Sequence, residues 1–250
     1  MRAISEHASA TVGSSAQAFN TTHWSVVLAA DLDSSPAAAL ALEKLCRTYW
    51  YPLYAYLRRR GTPAHQAQDL TQEFFARLVE KHYLNGVDRS KGKFRSFLLA
   101  ALDHFLANQW RDARAQKRGG GQTFLSLDDE TPEARYRLEP ADYDTPEKIF
   151  ERRWALTLLE QTLSRLREEC CATGKTQLFE QLKGVLSGEK SERTYAEMAA
   201  QLGMTEGAVN TALHRLRQRY GTLLREEIAQ TVASPEEIDG EIRHLFTAVT

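Results

Sequence analysis

Apolar residues recur along this chain at helical spacing, and no segment alternates in the manner of a half-buried strand. Leu42, Leu45, Tyr49, Leu53 and Leu57 keep that rhythm behind the start signal Ser35 and Pro36. This predicts a helix running toward Gly61, which Pro52 should kink or interrupt. Thr62 and Pro63 open a second helix ending near Lys81, with Leu70, Phe74, Phe75 and Leu78 as its buried stripe. A third is predicted from Arg95 to Lys117. It stops at Gly119, Gly120 and Gly121, each about 1 kcal/mol worse than alanine inside a helix. Thr145 and Pro146 begin a fourth, in which Phe150, Trp154 and Leu158 lie on one side and Leu159, Leu163 and Leu166 widen the face. A further helix spans Thr176 to Leu186, and Ser234, Pro235 and Glu236 start a tail helix with Ile238, Ile242, Leu245 and Phe246 on one face. Residues 1–20 read as disordered, with a short helix over Trp24 to Ala30. There is no long-period repeat, and the predicted class is all-α.

The segment from Thr194 to Tyr220, TYAEMAAQLGMTEGAVNTALHRLRQRY, carries the most information. Ala199 suits a helix crossing, Gly203 a turn with positive φ, and Val209 an apolar anchor. Thr205 should cap the second helix of the pair. Val209, Leu213 and Leu216 form one stripe, which leaves Glu206, Asn210, Thr211, His214, Arg215 and Arg217 on or beside the opposite face. Such side chains can hydrogen-bond base edges and phosphates, as in a helix-turn-helix. The plainer alternative is a helical hairpin with solvated arginines.

Composition narrows the choice through distribution more than through totals. The formal net charge of the 250 residues is only −1. Residues 89–118 nevertheless carry a net +6, and residues 119–147 a net −6. A basic helical segment is followed by an acidic connector. Cys46, Cys170 and Cys171 lack metal-ligand spacing, and their odd number argues against a disulfide framework. A cytoplasmic, reducing setting is expected, with no metal and no cofactor. No secretory signal is visible, and the apolar runs are too short to cross a bilayer, so no membrane partner is expected.

Chemistry finds little support. Asp69, Gln72 and Glu73 lie within about one turn of one another on a polar helix face. No histidine and cysteine cluster accompanies them, which argues against an acid/base or metal site. Neither a phosphate-cradling GxxxxGK[ST] loop nor a dinucleotide fingerprint is present. Arginines and lysines around the third helix are mixed with Phe94, Phe97, Phe105 and Trp110, the combination that holds single-stranded nucleic acid. Phe97 and Phe105 fall on nearly one side, which favours burial for both. Arg95, Trp110, Arg111, Arg114, Lys117 and Arg118 remain the candidates to meet the strand, the basic ones through its phosphates.

The order LCRTYWYPLYAYLRRRG, DLTQEFFARL, FRSFLLAALDHFLANQWRDARAQKR and then the Thr194 to Tyr220 hairpin resembles the sigma-70 factors of bacterial RNA polymerase, specifically the extracytoplasmic-function subfamily. The resemblance covers roughly Leu42 to Glu227. It implies a first domain (22–118) that contacts core RNA polymerase through Asp69, Gln72 and Glu73 and opens the minus-ten promoter element. It implies a second domain (146–232) whose helix-turn-helix reads the minus-thirty-five element. Residues 1–21, the linker 119–145 and the tail 233–250 flank them. By this resemblance the chain is no enzyme; strand opening draws on binding of extruded bases. Asp128, Asp129 and Glu130 of the linker could mimic nucleic acid in a basic channel, or the linker could be a solvated tether. His104 and Asn108 stand where the family commonly has asparagine and aspartate, a departure that bears on minus-ten preference. The loop 184–193 is longer and more polar than usual. The tail should pack on its own domain, or receive an anti-sigma protein or other regulator. A stand-alone helix-turn-helix regulator is the alternative, and it leaves the Asp69 region without a task.

Overall fold

The structure, a computed structural model, describes residues 36–80, 93–115, 132–139, 145–186, 194–232 and 234–250, with side chains omitted at 36–42, 79–80, 110 and 112–115. The expectations for the N-terminal segment, Lys117, Arg118, the triple glycine, Asp128 to Glu130 and most of the loop 184–193 lie outside these residues.

Among the described residues nine α-helices follow in order: α1 (Pro36–Arg59), α2 (Ala64–Glu80), α3 (Phe94–Ala115), α4 (Pro132–Arg137), α5 (Pro146–Ala172), α6 (Thr176–Leu186), α7 (Tyr195–Leu202), α8 (Glu206–Ala229) and α9 (Ile238–Val249). A 3-10 turn, Pro235–Glu237, precedes α9, and no strand occurs among the described residues. The fold is all-α. The proline start signals at Pro36 and Pro146 both lie at the first residue of a helix, and the Thr145 hydroxyl accepts from the Lys148 N–H at 3.3 Å.

Pro52 does not end α1. The helix runs through it to Arg59, although proline there leaves the Thr48 carbonyl without its N–H partner at a cost of about 3 kcal/mol. Burial offsets that cost, because Tyr51 to Leu57 are seven successive buried positions. A helix apolar on every side is one surrounded by its neighbours. Around α1 a single apolar cluster gathers Phe74 and Leu78 of α2, Leu98 and Leu102 of α3, Phe150, Trp154 and Leu158 of α5, Leu224 and Ile228 of α8, and Leu245 of α9.

A second cluster joins Leu166 and Cys170 of α5, Phe179 and Leu182 of α6, Met198 and Ala199 of α7, and Val209 and Leu213 of α8. Both α5 and α8 therefore serve two cores, and the segments before and after the connector share the first of them. In the tail, Leu245 is buried and Ile238 and Ile242 pack against that core. Phe246, expected on the same face, is half exposed because α9 turns its outer side to solvent there.

The acidic connector contains a docked element. α4 lies on α1, where Arg58 grips Glu133 with Nε and Nη2, each at 2.9 Å, and Tyr54 donates to the same carboxylate at 2.9 Å. Tyr51 donates to Glu139 at 3.0 Å, and Arg153 of α5 pairs with it too. Hydrogen bonds from Arg58 hold the Glu133 carboxyl below the usual carboxylate range. At residues 132–139 the connector is thus a strap tied to the core and not a solvated tether.

Candidate nucleic-acid interface

The hairpin α7–α8 is set by local chemistry. The Thr194 hydroxyl accepts from the Glu197 N–H at 3.3 Å while the Glu197 carboxylate accepts from the Thr194 N–H at 2.8 Å, closing a capping box at the start of α7. Gly203 ends that helix at φ 62°, in the left-handed region where a side chain is strained. Two residues later the Thr205 hydroxyl accepts from the Ala208 N–H at 3.2 Å and starts α8. Val209, Leu213 and Leu216 then point into the second core, as the periodicity requires.

The opposite face of α8 is open. Glu206, Asn210, Thr211, His214, Arg215 and Arg217 are all exposed. Thr211 donates to the Gly207 carbonyl at 2.9 Å, and Arg217 reaches the Val185 carbonyl of α6 at 3.3 Å. Behind this face α8 is braced on α5: Arg219 bonds Glu169, and Arg165 bonds Glu226 at 2.5 Å and Glu227 at 3.0 Å. The bracing ion pairs join residues from 50 to 62 positions apart, and helical periodicity carries no signal for them.

The predicted minus-ten residues divide. Arg111 is exposed on α3, donating to the Ala107 carbonyl at 3.3 Å and to Asn108, whose amide contacts His104 at 3.2 Å. The two positions that depart from the family pattern therefore form one polar network with a candidate phosphate contact. Trp110 and Arg114 belong to α3, with side chains outside the described set. Phe105 is buried as expected, and Phe97 is partly buried against the same core.

Arg95 lies elsewhere. It is only 4% exposed, stacked over the Trp154 ring at 4.7 Å and paired with Glu151 at 2.7 Å and with Glu241 of α9. In this conformation it faces the protein core and not solvent. Its partner Glu241 is 146 positions away, too far for any spacing argument to find.

On α2, Asp69 is exposed whereas Gln72 and Glu73 are half-buried. The Glu73 carboxylate accepts from Gln109 of α3 and pairs with Arg77 at 2.6 Å, so its face is joined to the basic helix. The cysteines are unbridged, and burial pushes the Cys46 thiol up to about 12. Among the described residues no group of histidine, cysteine and carboxylates could hold a metal ion, and no helix is long and apolar enough to cross a membrane.

Comparisons with known proteins bear on the family. A protein-family model described as ECF sigma factor matches residues 41–226, from within α1 to within α8. The chain is also similar to RNA polymerase sigma factor YlaC of Bacillus subtilis (strain 168), with 28% identity over 193 residues that make up 75% of this chain and 95% of that protein. No solved structure matches it. With most of its length inside the family match, the chain belongs to the ECF sigma factors, transcription initiation factors whose partners are core RNA polymerase and promoter DNA.

Proposed function

We propose that the chain divides promoter recognition between α8 and α3 while α2 contacts the polymerase. The observation that carries this is the open face of α8, where six polar side chains stand opposite three buried anchors on a helix capped by Thr205 and braced from behind. Glu206, Asn210, Thr211, His214, Arg215 and Arg217 read the minus-thirty-five duplex through base edges and phosphates. Trp110, Arg111, Arg114, Lys117 and Arg118 hold the minus-ten strand, the cations neutralising phosphates and the indole offering a stacking face, and Arg95 can join them only when it is freed from Glu151 and Glu241. Asp69, Gln72 and Glu73 meet core polymerase.

This role needs no catalytic residue, metal or cofactor. Opening the duplex would draw on contacts made only to the separated strand, against a cost of a few kcal/mol per unstacked nucleotide. The cytoplasm, where polymerase and promoter meet, is the matching compartment, and an anti-sigma protein or other regulator would find its target on the same surfaces.

The test mixes the chain with core RNA polymerase and genomic promoter fragments in a run-off assay. Defined transcripts and co-migration with polymerase are expected, and Asp69→Ala combined with Glu73→Ala should weaken polymerase binding. Duplex binding that is unaffected by polymerase and yields no transcript would favour a stand-alone regulator.

A further inference from the structure

The last helix lies beyond the residues that match the family, yet it is built into the core. α9 begins at Ile238, after the matched segment ends at 226, and its Leu245 is fully buried. Its polar side makes the more specific contacts. Glu241, 2% exposed, pairs with Lys93 at 2.5 Å and with Arg95. Arg95 also donates to Glu151 of α5, which His244 of α9 meets at 2.9 Å. Near the start of α9, Asp239 pairs with Arg225 of α8 at 2.5 Å. One short helix thus binds α3, α5 and α8.

A buried guanidinium is tolerated only with its charge and hydrogen bonds met. Glu241 shares with Glu151 the task of balancing the buried Arg95 at the start of α3, and it also pairs with the half-exposed Lys93. Without it Lys93 and Arg95 would share the Glu151 carboxylate, leaving the surplus positive charge that binds phosphate.

α5 and the first core already join α3 to α8, and α9 adds a second tie, through Glu241 to Arg95 of α3 and through Asp239 to Arg225 of α8. We propose that α9 is an intramolecular latch: it covers Lys93 and Arg95 and keeps α3 and α8 together on α5 until promoter engagement or a partner releases it.

The proposal rests on α3 being the minus-ten helix, and the experiment separates the two ideas. Run-off transcription with the chain limiting compares the full chain, Glu241→Gln and a chain ending at residue 233. Both altered chains should initiate about fivefold faster or more. A synthetic peptide of residues 234–250 should return the shortened chain toward the slower rate, and the same peptide with Glu241→Gln should do so poorly. Unchanged or slower initiation by a folded Glu241→Gln chain would overturn the latch, as would loss of its fold, which would make α9 purely structural. Should only the shortened chain fail to fold, Glu241→Gln decides alone. Adding Arg95→Ala to Glu241→Gln addresses the reading of α3: fast initiation that persists removes the phosphate role of Arg95 and leaves the latch standing. If no chain initiates, the functional reading fails, and hydrogen exchange over 94–106 still decides the latch. Faster exchange in Glu241→Gln supports it, and equal exchange refutes it.

Discussion

Arg219 on α8 grips Glu169 on α5 with both arms of its fork, Nη2 2.6 Å from one carboxylate oxygen and Nε 2.7 Å from the other. These bonds hold the Glu169 carboxyl below the usual carboxylate range. A carboxyl with a lowered folded pKa contributes stability that is complete above its unfolded value, about 4.3, and is lost as pH falls through the lower folded value. The α5–α8 brace should therefore be unchanged between pH 7 and pH 5 and loosen only below about 4. Hydrogen exchange of α8 at pH 7, 5 and 3 checks this, and Arg219→Lys, which cannot form the fork, should move the loosening to higher pH.

Trp154 is fully buried beneath Arg95 and beside α1 and α9. Trp154→Ala should cost about 3–5 kcal/mol. Because this core is shared by helices from both ends of the chain, urea unfolding should show α1 and α8 losing structure together; two separated transitions would contradict the shared core.

No atom lies within 4 Å of where a Gly203 side chain would begin, so its substitution is governed by the backbone alone. Gly203→Ala should cost about 1–2 kcal/mol through the left-handed conformation. Thr205→Ala should cost about 0.5–2 kcal/mol by removing the α8 cap. Thermal melts would measure both. DNA affinity should fall more with Gly203→Ala, since it alters the angle at which α8 is presented.

Arg215 and Arg217 are exposed on the open face of α8. Replacing either by alanine should weaken binding to the upstream element and, for a phosphate contact, lower the slope of affinity against salt by about 1. Titrations at several salt concentrations read both, and an unchanged slope would assign the residue to base edges.

Much of this was legible because its causes are local. Thr145 with Pro146, Thr194 with Glu197, and Thr205 act within one turn, so sequence spacing finds them. The stripe of Val209, Leu213 and Leu216 repeats at the helical period and so reveals its buried side. Pro52 does not interrupt its helix because tertiary burial around Tyr51 to Leu57 outweighs a local cost. At 132–139 the acidic count alone could not reveal docking, since Glu133 and Glu139 have dedicated partners far away on α1 and α5. Arg95 looked like its basic neighbours, since nothing near it in the chain tells of Glu241.

The cover of α1 has a consequence for biosynthesis. Tyr49, Leu53 and Leu57 leave the ribosome long before Leu245, which completes their cluster. At about 5–20 residues per second, some 10–40 s pass between the two. During that interval an aromatic-rich helix lacks its final cover, so this core can close only after α9 has been made.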